Sequence, residues 1–206
     1  MKRRLIILTG IVAIAALAIW VVLAVTTPTE PVFQGKKLSA WVDECGSTNS
    51  DRAVQARFAI GRMGSNAVPY LMHRLKREAL KTYWLKKTDG WLHTGTKFEQ
   101  MNATRVLAVR RGILGLRWSG VPELEKLVEE STNEEVVFEA YSTAEMIRSL
   151  SSDSRLNSMH LSSNAKKKVV AAMAAHGRTP PLDLRVVAIE VGPMQQESTQ
   201  RVTNGR

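Results

Sequence analysis

The chain has 206 residues, a formal net charge of +10, one cysteine and few aromatic residues. This length accommodates one modest domain with appendages, and a single cysteine excludes both an internal disulfide framework and a cysteine-based zinc site. Runs rich in β-branched and aromatic residues are scarce, which favours an all-α fold.

The N-terminus predicts a membrane segment. A basic stretch at residues 1–4 is followed by an uncharged run at residues 5–25, and about 20 apolar residues cross a bilayer as a helix. We therefore expect a transmembrane helix or signal anchor with a cytoplasmic N-terminus, which would place the folded part in the periplasm or outside the cell. A cleaved signal peptide and a secreted protein are the alternative. Residues 26–37 are expected to be a linker.

The clearest pattern covers residues 52–75, where two segments with helical periodicity are joined by a short turn. The small or apolar positions of the first segment share one helix face: Ala53, Ala56, Ile60 and Met63. Ser50 or Asp51 is expected to cap this helix, and Gly64 suits the position just past its end. Pro69 fits the first turn of the second helix.

The same pattern returns at residues 105–128, 53 positions later, where Val121-Pro122 replaces Val68-Pro69. A third such helix follows at residues 135–150. Two short antiparallel amphipathic helices need a stacked neighbour to bury their apolar faces. Within a domain at 38–178 the sequence thus predicts about three helical hairpins, with the bounds 51–76, 102–130 and 134–177. Residues 77–101 form an insertion in which 91–100 is expected to be a loop, and residues 179–206 are expected to be mostly disordered.

The run Gly61-Arg62-Met63-Gly64-Ser65-Asn66-Ala67-Val68-Pro69 resembles the turn of HEAT repeats. Residues 31–41 resemble the lead-in of small, membrane-anchored bacterial HEAT-repeat proteins of unassigned function. The resemblance covers residues 31–150 and implies a short α-solenoid that binds other macromolecules and has no catalytic residues. An ordinary helical bundle is the alternative fold.

The sequence contains no pattern for catalysis, metal binding or cofactor binding. The four histidines are distant from one another and from carboxylates at ligand spacing: His73, His93, His160 and His176. Asp43 and Glu44 are adjacent on a predicted helix and point in different directions, so they make a poor acid/base pair. We therefore expect no catalytic, cofactor-binding or metal-binding residues, and we expect that the protein is not an enzyme.

Charge and aromatic residues predict a binding surface near the insertion. Residues 76–117 carry ten basic and three acidic residues, whereas residues 118–150 carry two basic and eight acidic ones. The first hypothesis is a scaffold that binds a protein partner outside the cytoplasm. The alternative is a binder of a polyanion, such as an anionic glycan, a lipid headgroup or, least favoured, nucleic acid. A small-molecule substrate is not expected. The candidate partner-binding residues are Tyr83, Trp84, Lys86, Lys87, Trp91, Lys97, Arg110 and Arg111.

Overall fold

The structure, a computed structural model, describes residues 28–92, 95–150 and 161–181, together with Leu17 and Leu184. The helices in these ranges are α1 (Leu38–Cys45), α2 (Ser50–Met63), α3 (Val68–Leu92), α4 (Gly95–Gly115), α5 (Val121–Glu130), α6 (Glu134–Ser149) and α7 (Ser163–Ala175). Two 3₁₀ turns, Gly64–Ala67 and Arg117–Gly120, lead into α3 and α5. A short hairpin pairs β1 (Val32–Phe33) with β2 (Lys36–Lys37) antiparallel. The predicted all-α class is confirmed.

The cap of helix α2 is a residue that the sequence did not single out. The side-chain oxygen of Asn49 accepts hydrogen bonds from the backbone N–H groups of Asp51 and Arg52, at 3.0 and 3.2 Å. Asn49 is therefore the cap, and Ser50 is the first residue of the helix. Gly64 follows the end of α2 with the positive φ of +59° that glycine tolerates, but its ψ of −137° differs from that of the left-handed α conformation that the sequence predicted.

The predicted loop of the insertion is mostly helical. Helix α3 continues through Asp89-Gly90 to Leu92, and α4 already begins at Gly95. The two helices pack along each other, and the buried side chain of Asn102 joins them. Its Nδ2 donates to the Glu78 carbonyl oxygen at 2.9 Å and to Thr82 Oγ1 at 2.6 Å. The prediction of a loop at residues 91–100 was therefore wrong for 91–92 and 95–100.

One apolar core runs through the described helices. Each of the seven helices contributes fully buried side chains to it, for example Val42, Ile60, Leu71, Ile113, Leu124, Val137 and Val169. Helix α1 packs on both α2 and α4, so the segment before the first predicted hairpin is part of the same core. Leu184 is helical and buried; otherwise residues 182–191, whose composition is typical of a strand, lie outside the described residues.

The predicted membrane location requires a correction. Within the part of the chain that the structure describes, no helix is sufficiently long and apolar to cross a membrane. The two longest helices carry charged residues along their length, such as Arg74 and Lys81 in α3 and Arg105 and Arg110 in α4. The finding contradicts the single-pass membrane location. The run at residues 5–25 on which that prediction rested lies outside the described residues, apart from Leu17.

Candidate binding surfaces

An aromatic cluster occupies the outer side of α3. The rings of Tyr83 and Trp84 meet edge to face, with centroids 5.5 Å apart and an interplanar angle of 77°. The Lys87 ammonium lies 5.4 Å from the Trp84 ring centroid and 5.8 Å from that of Tyr83, within the range of a cation–π attraction. Trp84 remains 57% exposed. The structure thus brings three of the predicted partner-binding residues together.

This cluster borders a cleft of about 380 Å³ between α3 and α4. The cleft is lined by Lys81, Trp84, Leu85, Thr88, Met101, Asn102 and Arg105. Met101 is 54% exposed, so it adds a second apolar side chain to the surface. We call the cleft together with Tyr83 and Lys87 the Trp84 surface.

Three other predicted partner-binding residues make polar contacts between helices of the fold. Lys86 Nζ lies 3.0 Å from a carboxylate oxygen of Glu135, and Arg110 lies 3.2 Å from one of Glu139. Both carboxylates are largely buried and belong to α6. Arg111 donates to the backbone carbonyl oxygen of Cys45 at 3.3 Å. These contacts tie α3 and α4 to α6 and α4 to α1. The remaining two predicted residues, Trp91 and Lys97, lie within α3 and α4, and their side chains are outside the described part.

A histidine completes the polar contact between α3 and the last hairpin. His176 Nε2 lies 3.2 Å from Glu135 Oε2, and its Nδ1 lies 2.8 Å from the Ala172 carbonyl oxygen. Nε2 also lies 3.5 Å from Lys86 Nζ, so the ring stands beside both members of the Lys86–Glu135 ion pair. The His176 ring also stacks on Phe138, with centroids 3.8 Å apart. Burial raises the pKa of the nearby Glu139 carboxyl, while Arg110 opposes that rise. The basic side chains of Lys86 and Arg110 thus pair with the carboxylates of Glu135 and Glu139 on a neighbouring helix.

A second exposed apolar surface lies on α2, and the sequence did not predict it as a binding site. Phe58 is 70% exposed and Val54 52% exposed, and Leu150, at the end of α6, is 73% exposed. They border a hollow of about 510 Å³ that is also lined by Arg57, Gly61, Arg62, Leu114, Gly115, Leu116 and Arg117. An adjoining hollow of about 420 Å³ shares Val54, Phe58 and Arg62 with the first and extends towards Phe33 and Trp41. We call the two hollows the Phe58 groove.

The rim of the Phe58 groove is basic. Its three arginines, Arg57, Arg62 and Arg117, form no ion pair with any described residue, and neither hollow is lined by a carboxylate. Phe58 was already visible in the sequence as an apolar residue on the polar side of its helix. Its neighbour Leu150 was not, because the fold brings it from 92 positions away in a different helix.

Metal and thiol chemistry receive no support from the described residues. No group of three or more His, Cys, Asp or Glu side chains within them is arranged to hold a metal ion. The Cys45 thiol is fully buried, and burial raises its pKa to about 12. The nearby Arg57 and Arg111 only partly oppose this rise, so the neutral thiol is the stable form.

Comparison of the chain with protein-family models, with curated proteins and with solved structures finds no match. The functional argument therefore rests on the geometry of the two surfaces.

Proposed function

We propose that this chain is a helical-repeat scaffold that binds another protein, and that its helices form a short solenoid of about three HEAT-like hairpins. The turns of the first two predicted hairpins support this proposal because they have the same form. In each, a four-residue 3₁₀ turn is followed directly by Val-Pro, at Val68-Pro69 and at Val121-Pro122. The residue that begins each turn has a positive φ, +59° at Gly64 and +52° at Arg117. These two residues are 53 positions apart, which is the offset of the sequence repeat.

The exposed Trp84 ring beside its cleft is the observation that carries the binding function. Tryptophan and tyrosine dominate the binding energy of protein interfaces, and they do so where they fill or border a pocket. Leaving more than half of a tryptophan in water forgoes apolar burial, which contributes roughly 25 cal/mol per Å². A partner that covers Trp84, Met101 and the cleft recovers that contribution.

The charges favour a protein over a polyanion as the ligand of this surface. Glu78 is buried and pairs with both Arg77 and Lys81, which partly offsets the positive charge beside the cleft. Two further cations, Lys86 and Arg110, are held by α6. Among the described side chains of the Trp84 surface, Lys87 and Arg105 remain, and neither forms an ion pair with a described residue. The free positive charge is therefore smaller than the sequence predicted.

The test is site-specific photo-crosslinking in the source cells, with a photoreactive amino acid at Thr88, which is exposed and lines the cleft. We expect a discrete protein to be captured at low and at high salt, and Trp84→Ala to abolish the capture. The matched control is Leu107→Ala on α4, an exposed apolar residue outside the cleft. Capture of polyanionic material that high salt removes would instead establish the polyanion binder. Equal capture by wild type and Trp84→Ala would overturn the assignment of this surface.

A further inference from the structure

We propose that the Phe58 groove is a second binding site, and that it takes an acidic amphipathic helix of a partner protein. The groove shares no lining residue with the Trp84 surface. Its floor is apolar, with Val54, Phe58 and Leu150 each more than half exposed. A helix that places apolar residues at i, i+3, i+4 and i+7 in such a groove is a recurring mode of peptide recognition.

Charge complementarity selects an acidic occupant. Arg57, Arg62 and Arg117 surround the apolar floor without a carboxylate partner in the described structure. Arginine forms bidentate hydrogen bonds with carboxylates, which gives orientation as well as affinity. A ligand with carboxylates on both sides of its apolar stripe matches this arrangement, whereas a neutral or basic ligand leaves three guanidinium groups unmatched.

The backbone at Arg117 gives independent support. Arg117 has a φ of +52°, in the left-handed region that costs a residue with a Cβ but not glycine. The equivalent position of the first turn is Gly64, at a φ of +59°. The second turn thus places an arginine where the geometry favours glycine, and this arginine stands on the groove rim. Local strain of this kind clusters at binding sites.

The chain's own segments outside the described residues do not match the groove in charge. Residues 1–16 carry three basic and no acidic residues, and residues 151–160 carry one of each sign. Residues 182–183 and 185–206 together carry three basic and three acidic residues. A second copy of the chain is also disfavoured, because its net charge of +10 opposes self-association at a basic surface and five of the eight acidic residues at 118–150 already form ion pairs within the chain. A separate acidic partner is the occupant that fits.

Fluorescence anisotropy with three labelled peptides tests the proposal on the full chain. Each peptide has leucine and phenylalanine at i, i+3, i+4 and i+7, and the remaining positions are glutamate, glutamine or lysine. We expect the glutamate peptide to bind about tenfold more tightly than the glutamine peptide, and the lysine peptide not to bind. Phe58→Ala should weaken binding of the glutamate peptide about tenfold. Trp84→Ala should leave the affinity for the glutamate peptide unchanged. The experiment therefore tests the Phe58 groove independently of whether the Trp84 surface binds a partner.

Charge reversal gives the sharpest outcome. The Arg57→Glu/Arg62→Glu variant should no longer bind the glutamate peptide and should bind the lysine peptide instead. Arg52→Glu, on the same helix but outside the groove, should change the affinity for neither peptide. Arg117→Gly should raise the melting temperature of the protein and still weaken its binding of the glutamate peptide. Equal affinity for glutamate and glutamine peptides, or no effect of Phe58→Ala, would overturn the proposal. So would no binding by any of the peptides, or a dimer of the chain that Phe58→Ala dissociates.

Discussion

Gly115 lies directly against the backbone of Arg57: a Cβ placed on Gly115 would stand 2.5 Å from the Arg57 carbonyl oxygen. The contact is reciprocated one turn further along α2, where a Cβ on Gly61 would stand 2.7 Å from the Gly115 carbonyl oxygen. Helices α2 and α4 therefore cross with their backbones nearly touching. This crossing forms part of the floor of the Phe58 groove.

Gly115→Ala should accordingly destabilise the fold. The added methyl group meets a backbone oxygen, which cannot move without displacing α2, so we expect the free energy of unfolding to fall by about 1–3 kcal/mol. Urea denaturation followed by circular dichroism measures this change. Gly112→Ala on the same helix is the control, because its Cβ would meet the ends of side chains and no backbone atom: Val42 at 3.5 Å, Leu71 at 3.7 Å and, as the nearest contact, Ile60 at 3.2 Å. The gain in helix propensity offsets that contact, and an equally large loss in both variants would contradict the explanation.

The helices of the first predicted hairpin could be predicted because their signals are local. The spacing of Ala53, Ala56 and Ile60 defines one helix face, and these residues are buried as that pattern requires. The position of the turn could also be predicted, since Gly64 tolerates the positive φ just past α2 and Pro69 suits the first turn of α3. The continuation of α3 through Asp89-Gly90 could not, because the packing of α3 along α4 overrides the preference of that dipeptide for a turn.

The roles of the basic residues depended on contacts between distant parts of the chain. Lys86 meets Glu135, 49 positions away, and Arg110 meets Glu139, 29 positions away. Sequence alone identified the side chains as basic but not the buried carboxylates that α6 brings to them. The Phe58 groove was missed for a similar reason, since its second exposed apolar residue, Leu150, comes from the end of another helix. Tyr83, Trp84 and Lys87 were found because all three are on one helix.

Asn49 should contribute to stability as the cap of α2. Its side chain satisfies two backbone N–H groups that otherwise lack a partner within the helix. We expect Asn49→Ala to lower the free energy of unfolding by about 1 kcal/mol. Ser50→Ala, one position later, should have little effect because the Ser50 hydroxyl caps no backbone group. The two variants are compared by thermal denaturation. A larger loss of stability for Ser50→Ala would show that Ser50, as the sequence predicted, is the cap instead of Asn49.

Cys45 should be unreactive in the folded protein. With a pKa of about 12, roughly one thiol in 10⁴ is ionised at pH 8, and the thiolate is the nucleophile. We expect no labelling by iodoacetamide at pH 8 until denaturant unfolds the chain, after which the thiol should react at an ordinary rate. Ser65→Cys in a Cys45→Ala background supplies an exposed thiol as the control. Labelling of native Cys45 as fast as this control would show that α1 opens or that the thiol is not buried.

Glu139 should make stability depend on pH in a direction opposite to that of an ordinary paired carboxylate. Burial raises the pKa of Glu139 above its unfolded value of about 4.3, although Arg110 partly opposes the rise and Glu135 adds to it. The folded state therefore binds the proton more tightly than the unfolded state does. The stabilising contribution is fully present below pH 4.3 and is lost as the pH rises through the raised pKa.

Urea unfolding of wild type and Glu139→Gln between pH 4 and pH 8 measures this contribution. Glutamine keeps an oxygen that can accept the hydrogen bond from Arg110 but does not titrate, so subtracting the two curves isolates Glu139. We expect the stability of wild type relative to the variant to decrease from acid to neutral pH. Glu134→Gln is the control, because this α6 carboxylate is exposed and forms no ion pair with a described residue. A relative stability that increases with pH would mean that the pairing with Arg110 outweighs burial, which would reverse the pKa shift of Glu139.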